Sequence, residues 1–493
     1  MANAFSVAGR KGVLLFLIAV LVAVGSVSPV AAAGRGYDEM PAQVVTKGLR
    51  AEQHLERQVL LSRRLSRELP SEASEKAVHV ALSADEAGAI DKGSRWESPL
   101  KIGVVKAMAP GIVVSGLSPD KQDLPGGFRH LANGFVWAAV VRAEDAGAIR
   151  LHVQDMSLPA NAELYAYSRN GQAYGPYTGT GPNFSGEFWT TAIFGSEAIL
   201  QLRLTGPVSE ADLNNVFFKV TDAGLITKGF AGSFSPDILE PAVEKANWPC
   251  GNQGCIIDAT CSNVAIANPA KLAMAKMEWI SGPFIYTCTG GLINDNNPTQ
   301  SNFFLTANHC LSKNNVAQNV SFYWRYATSS CNGTCPTNAG WPFITTGSTL
   351  SSTNRKGDYT LLRLTSNPPA GSVILGWNSA PVANTNGAAL YRISNPGFGP
   401  QVYSQHNVDT SSGTCSGWPR GQAIYSRDIT GAIDSGSSGS PVMNALSQVV
   451  GQLSGTCGFA PSEVCSSGPG ESNSTVDGAF AYFYPSIQSI INP

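Results

Sequence analysis

Gly436-Ser437-Ser438-Gly439-Ser440-Pro441 places a glycine on each side of a serine, a pattern that lets the backbone turn tightly and present one hydroxyl without side-chain obstruction. Ser438 is the candidate nucleophile. The N–H groups of Gly436 and Ser438 can converge on a developing oxyanion, the kind of donor whose loss costs about 10²–10³ in rate. A flexible Gly/Ser turn has the same composition, so the reading depends on what else the chain supplies.

Two upstream segments supply it. Thr306-Ala307-Asn308-His309-Cys310 follows the apolar run Phe303-Phe304-Leu305, which puts His309 at the end of a strand with a disulfide candidate beside it. An imidazole there can take the proton of Ser438 and return it to a leaving amine; residues 246–493 contain only one other histidine, His406. Lys356-Gly357-Asp358-Tyr359-Thr360-Leu361-Leu362-Arg363-Leu364 sets an aspartate at the mouth of an alternating strand. Asp358 can accept the other ring N–H and fix the tautomer; a turn aspartate capping a strand is the alternative reading of that segment alone.

The order His309, Asp358, Ser438 and the patterns TAxHC, DxxLLxL and GxSGxP together resemble the trypsin family. The resemblance implies an all-β catalytic domain built as a double β-barrel, and acyl transfer needing no metal or organic cofactor. Within the family the chain looks like bacterial lysyl endopeptidases, through Gly254-Cys255-Ile256-Ile257-Asp258-Ala259-Thr260-Cys261, Phe322-Tyr323-Trp324-Arg325-Tyr326, the Ser438 turn and Val450-Gly451-Gln452-Leu453. Residues 137–204, including Gly186-Glu187-Phe188-Trp189-Thr190, resemble the propeptides of those enzymes. The same resemblance implies disulfides Cys288–Cys310 and Cys261–Cys331, with Cys255 joined to Cys465 or Cys457; Cys250, Cys335, Cys415 and the remaining one of that last pair stay unassigned. Closing the Cys288–Cys310 loop is worth about 3 kcal/mol in the chain-entropy picture.

The pocket for the side chain before the scissile bond departs from familiar patterns. Trypsin-like enzymes carry an aspartate six residues before the nucleophile, where this chain has Ala432. Lysyl endopeptidases are expected to carry theirs three residues before a later glycine, where this chain has Thr475, while Asp477 adjoins that glycine, Gly478. Asp477 is either a pocket carboxylate that selects lysine or a solvated turn residue. Ser454-Gly455-Thr456 resembles the edge strand on which an extended peptide pairs. Ser437 stands where animal trypsins have the aspartate that receives a new amino terminus, so activation by that ion pair is not expected.

All ten cysteines lie between Cys250 and Cys465, which suits an oxidising compartment; without paired CxxC clusters, a zinc site is not indicated. Arg10 and Lys11, an apolar stretch over residues 12–25, and Ala31-Ala32-Ala33 read as a secretory signal occupying residues 1–33. A net charge of −2 and no basic run argue against nucleic acid. Residues 34–245 are expected to form a propeptide. It has a helix at about 50–70, where Leu55, Val59, Leu65 and Leu69 make a stripe ended by Pro70, and a β-sandwich at about 76–228. There Ile149, Leu151 and Val153 alternate with Arg150, His152 and Gln154, and Leu200, Leu202 and Leu204 with Gln201 and Arg203. A linker at about 229–245 offers Lys228 and Lys245 as cleavage points. Residues 246–493 form the catalytic domain, ending in a short helix over residues 485–491.

The expectation is a secreted, monomeric serine endopeptidase, exported through the periplasm if the source is Gram-negative, with protein or peptide substrates. Its own propeptide serves as folding aid and inhibitor, and no membrane association remains after signal removal. A secreted pseudoprotease or peptide-binding protein of the same fold is the alternative. A lipase-like hydrolase is disfavoured, because its nucleophile is expected before its acid and histidine.

Overall fold

Strand-forming runs dominate, and the computed structural model assembles them into one β-sandwich and two barrels. It describes residues 36–493 except 94–97, 118–124, 232–249, 251, 253, 298–300, 334 and 336–341. The signal at residues 1–33 and the linker beyond Ala231 lie outside the described residues. Among the described residues no helix is long and apolar enough to cross a membrane.

In the amino-terminal region, α1 (Ala51–Glu68) stops before Pro70 and buries Gln58, Ser62 and Leu65. The sandwich strands fall between Val78 and Thr227, followed by a helical turn, Lys228–Ala231, that carries Lys228 exposed. One sheet centres on Gly134–Arg142 paired with Glu197–Thr205. The other pairs Ala146–Ser157, Phe217–Thr227 and the long β1 (Leu100–Ser115). Alternation alone would send Arg150 and Gln201 to solvent, yet both are fully buried. Arg150 meets Glu278 and Gln201 accepts from the Tyr167 hydroxyl, so at these two positions the period-2 pattern marks chemistry and not exposure.

The first barrel comprises β2 (Met274–Ser281), β3 (Phe284–Ile293), β4 (Phe303–Ala307), β5 (Ser321–Trp324), β6 (Phe343–Thr346), β7 (Ser348–Asn354) and β8 (Tyr359–Leu364). Pairing runs β5-β2-β3-β4-β8-β7, and β6 returns to β5. Only Gly347 separates β6 from β7; its φ of +85° turns the corner that closes the ring, and a Cβ there would meet Thr365 Oγ1 at 2.6 Å. The second barrel comprises β9 (Ala389–Ser394), β10 (Val402–Val408), β11 (Ala423–Thr430), β12 (Pro441–Met443), β13 (Val449–Gly458) and β14 (Asn473–Ala479). Its order β12-β9-β10-β11-β14-β13 closes when β13 returns to β12. The fold is all-β of trypsin-like double-barrel type with an amino-terminal sandwich.

The closing helix α2 spans Phe480–Ile491, five residues longer at its start than the sequence indicates. Phe480, Phe483 and Tyr484 extend the buried stripe of Ile487 and Ile491, and that burial outweighs the hydrogen bond lost at Pro485.

Sandwich and barrels share a sheet: β1 pairs antiparallel with β3 from Val104↔Phe284 to Leu100↔Thr287. Arg150 and Glu278 form an ion pair across the same contact at 3.0 Å, both side chains fully buried. The guanidinium also donates to the carbonyls of Thr190 (2.8 Å) and Asn319 (3.0 Å), and Tyr323 donates its hydroxyl to Glu278. Phe194 of the sandwich packs against Tyr323 and Phe398. An arm threads the other side, with Glu39–Met40 on Trp377–Asn378 and Gln43–Val44 on Val373–Ile374.

Five disulfides join Cys250–Cys335, Cys255–Cys465, Cys261–Cys331, Cys288–Cys310 and Cys415–Cys457. Cys255 therefore takes Cys465, which leaves Cys457 for Cys415.

Candidate active site

The turn that carries Ser438 has its shape imposed by space. Gly439 has φ +80°, and a Cβ there would fall 2.2 Å from Thr306 Oγ1 and 2.6 Å from the Thr289 carbonyl, so glycine alone fits. Gly436 has φ +94°. The Ser438 carbonyl accepts from Thr289 N–H at 2.9 Å, and the Gly436 carbonyl accepts from the Thr289 hydroxyl at 2.9 Å. Gly439 N–H donates to the Leu453 carbonyl of β13 at 2.8 Å. The Ser438 turn is thus pinned to strands of both barrels, and Ser438 is 8% exposed.

His309 follows β4 next to the Cys288–Cys310 bridge. Asp358 accepts twice from this residue, from the backbone N–H at 3.0 Å and from ring Nδ1 at 2.8 Å. That double contact fixes the ring plane and leaves the proton-accepting role to Nε2, which is buried and has no hydrogen-bond partner among the described residues. The sulfurs of Cys288 and Cys310 lie close to this imidazole, but both are spent in the disulfide and hold no lone thiolate for a metal.

Asp358 itself sits in the left-handed region at φ +48°, a conformation that costs an aspartate of order 1 kcal/mol or more. Buried Gln452, on β13, donates its amide to the Asp358 carbonyl at 2.5 Å, and Asn308 N–H donates to the same oxygen at 3.0 Å. Gly478 lets this segment approach: a Cβ there would stand 2.4 Å from the Gly357 carbonyl. Nothing in the local sequence around Gln452 signals this clamp.

The Ser438 hydroxyl meets the Ser98 hydroxyl of the amino-terminal region at 3.0 Å. Leu100, two residues on, reaches to 3.4 Å from the place a Cβ would take at Gly436. The chain then continues as β1 along β3, so residues 98–104 enter beside Ser438 and leave as an added strand.

A cavity of about 270 Å³ opens beside Ser438, lined in part by Trp418, Ile433, Asp434, Leu453, Ser454, Gly455, Thr456 and Val464. Ser454, Gly455 and Thr456 lie on β13, and Gly455, at φ +153°, has Trp418 Cη2 3.6 Å from its absent Cβ. Thr475 and Asp477 are elsewhere. Both point from β14 into the second barrel, where Thr475 donates to Asp428 at 2.9 Å and Asp477 pairs with Arg392, both side chains fully buried. Burial pushes the Asp477 carboxyl up, opposed by the guanidinium. Asp477 is therefore neither a solvated turn residue nor a wall of the cleft; the whole of β14 is buried, and the charge serves the barrel core.

Residues 251–467 match the family described as lysyl endopeptidase, C-terminal domain. The chain is 29% identical over 373 residues to a lysyl endopeptidase of Pseudomonas aeruginosa, covering 74% of this chain and 76% of that one. Among solved structures it is similar to the HtrA-type protease AlgWS227A with tripeptide, with TM-score 0.34 and 15% identity over 47% of this chain and 64% of that one. It is also similar to the active form of the Rv3671c protease from M. tuberculosis, with TM-score 0.30 and 18% identity over 52% and 94%.

Proposed function

From the premise that this chain is a serine endopeptidase of trypsin fold related to the bacterial lysyl endopeptidases, we propose that it is exported and made as a latent precursor whose catalytic groups are Ser438, His309 and Asp358. The observation that carries the reading is the His309–Asp358 pair, with Nδ1 held at 2.8 Å and Nε2 left without a partner among the described residues, on a segment whose Thr306 and Ala307 lie against Gly439 of the Ser438 turn. Nε2 takes the Ser438 proton as Oγ attacks the scissile carbonyl, and Asp358 stabilises the imidazolium that forms. The carbonyl oxygen becomes an oxyanion received by Gly436 and Ser438 N–H. Collapse expels the amine with the proton from His309, and water then cleaves the acyl-enzyme by the same groups.

Latency rests on the Ser98 hydroxyl, which competes for the nucleophile, and on β1, which covers the adjoining strand edge. The amino-terminal region is accordingly read as inhibitor and folding aid, and export rests on the leader pattern and the five disulfides. A preference for lysine follows the relatives' activity. The test is hydrolysis of a peptide library by the protein secreted from a host expressing the full chain, with cleavage positions read by mass spectrometry. Ser438→Ala and His309→Ala should each lose about 10⁴-fold or more in kcat/KM; hydrolysis that survives both substitutions would overturn the assignment.

A further inference from the structure

We infer that Lys276 is a positioning residue: by clamping residues 395–399 it sets the peptide group whose N–H, on Gly436, receives the oxyanion. The inference rests on the endopeptidase reading and adds a group outside its three catalytic residues.

The chain just after β9 lies against the Ser438 turn. Gly397 N–H donates to the Ser435 carbonyl at 2.8 Å. The Ser435–Gly436 peptide is trans, so its carbonyl and its N–H point in opposite directions. Holding the carbonyl from one side therefore aims Gly436 N–H to the other, and half a turn of the group would exchange that bond for two N–H groups face to face. The two stretches of backbone touch: a Cβ at Gly436 would stand 3.0 Å from Gly397 N and 3.2 Å from the Asn395 carbonyl. Asn395 N–H donates at 3.0 Å to the Thr289 hydroxyl, which itself donates to the Gly436 carbonyl. The Ser394 hydroxyl donates to that of Ser437 at 3.0 Å.

Residues 395–399 need a restraint of their own. Gly397 and Phe398 both have left-handed backbone, at φ +58° and +64°, and a phenylalanine there costs of order 1 kcal/mol or more. Lys276, on β2, supplies the restraint. It is fully buried; its Nζ donates to the Phe398 carbonyl at 3.2 Å and lies 3.2 Å from the centroid of the same residue's ring. The Tyr323 and Tyr326 rings stand at 4.4 and 4.7 Å. One amine on both the carbonyl and the ring of Phe398 fixes backbone and side chain together. Burial pulls the Lys276 pKa well below the usual lysine value, opposed by Glu278; charged or neutral, the amine donates to the carbonyl. The Asn395 side-chain amide closes the segment from within, donating to the Gly399 carbonyl at 3.0 Å.

The test uses the protein secreted from a host expressing the full chain and a peptide that the native protein cleaves. Lys276→Met keeps an apolar stem among the rings and removes the donor. It should lower kcat about 10-fold, part of the roughly 10²–10³ lost with an oxyanion donor itself, while KM stays within about twofold. A peptide trifluoromethyl ketone, which forms an oxyanion-bearing tetrahedral adduct on Ser438, should bind about 10-fold more weakly, in step with kcat. Lys276→Arg keeps a donor and should recover part of both losses. Phe398→Leu keeps the carbonyl and removes the ring, and should lower the same two quantities by about threefold or more. In Lys276→Met, kcat and ketone affinity both within about twofold of native, or KM rising as much as kcat falls, overturns the positioning role while the serine chemistry stands. Where Lys276→Met is not secreted, Phe398→Leu is judged by the same limits. Failure of the native protein both to cleave peptide and to be phosphonylated on Ser438 overturns the endopeptidase reading, and this inference with it.

Discussion

Replacing Arg150 by methionine should loosen the sandwich from the barrels more than any other single change on that face. The guanidinium is fully buried and makes three charge-assisted hydrogen bonds, at 2.8, 3.0 and 3.0 Å, one of them to Glu278. Its removal leaves the Glu278 carboxylate buried with the Tyr323 hydroxyl and, among the described residues, no opposite charge at hydrogen-bond distance. Breaking a buried pair from one side costs about 3–5 kcal/mol, a factor of roughly 10² to 10³ or more in the opening equilibrium. The assay is urea unfolding of the full chain in the Ser438→Ala background, where no self-cleavage intervenes. Arg150→Met, Glu278→Gln and the double variant form a cycle. The double variant should recover part of the loss, giving a coupling of about 1.5 kcal/mol or more. A coupling below about 0.5 kcal/mol would refute the claim that this pair is what holds the two regions together.

Three further outcomes follow from the same structure. Gln452→Leu removes the amide that holds the Asp358 carbonyl in its left-handed turn; kcat should fall roughly 3- to 10-fold with KM within twofold, and an equal rise in KM would contradict a positioning role. His54, stacked on Phe343 at 4.2 Å, has its pKa pushed from 6.5 down to about 4 by burial, with Arg57 adding to the effect. The folded state therefore holds it neutral, and the stabilisation is complete above pH 6.5 and lost as the pH falls from 6.5 toward 4. Urea midpoints across that window should drop in the native chain and change less in His54→Phe; equal slopes would count against the docking of α1 as an acid-sensitive contact. Asp477→Asn strands the buried Arg392 charge and should destabilise by about 3–5 kcal/mol, while any protein that still folds keeps its ratio of lysine to glutamine cleavage.

Chemistry carried by neighbours in sequence was legible, and chemistry carried by distant pairs was not. The glycines around Ser438 announce a tight turn because their need for positive φ and for space is local. The α1 stripe and its stop at Pro70 are equally local. Arg150 looked like an outward residue because its strand alternates, and only the arrival of Glu278, 128 residues later, explains its burial. Asp477 looked like a pocket or turn residue beside Gly478, since a seven-residue stretch cannot reveal that both faces of its strand are covered. Ser98 lies 340 residues from Ser438 in sequence and carries no motif. Asp434 stands only four positions before Ser438, yet its place on the cleft depends on how β13 and Trp418 close the far wall.

Covalent trapping asks whether Ser438 is a serine activated by His309. The secreted protein is treated with a phosphonylating reagent selective for activated serine, digested and mapped by mass spectrometry, alongside His309→Ala. One adduct is expected, on Ser438, formed in the native protein and slowed about 10³-fold or more without the imidazole. An adduct on another serine, or one on Ser438 that forms equally fast without His309, would contradict it.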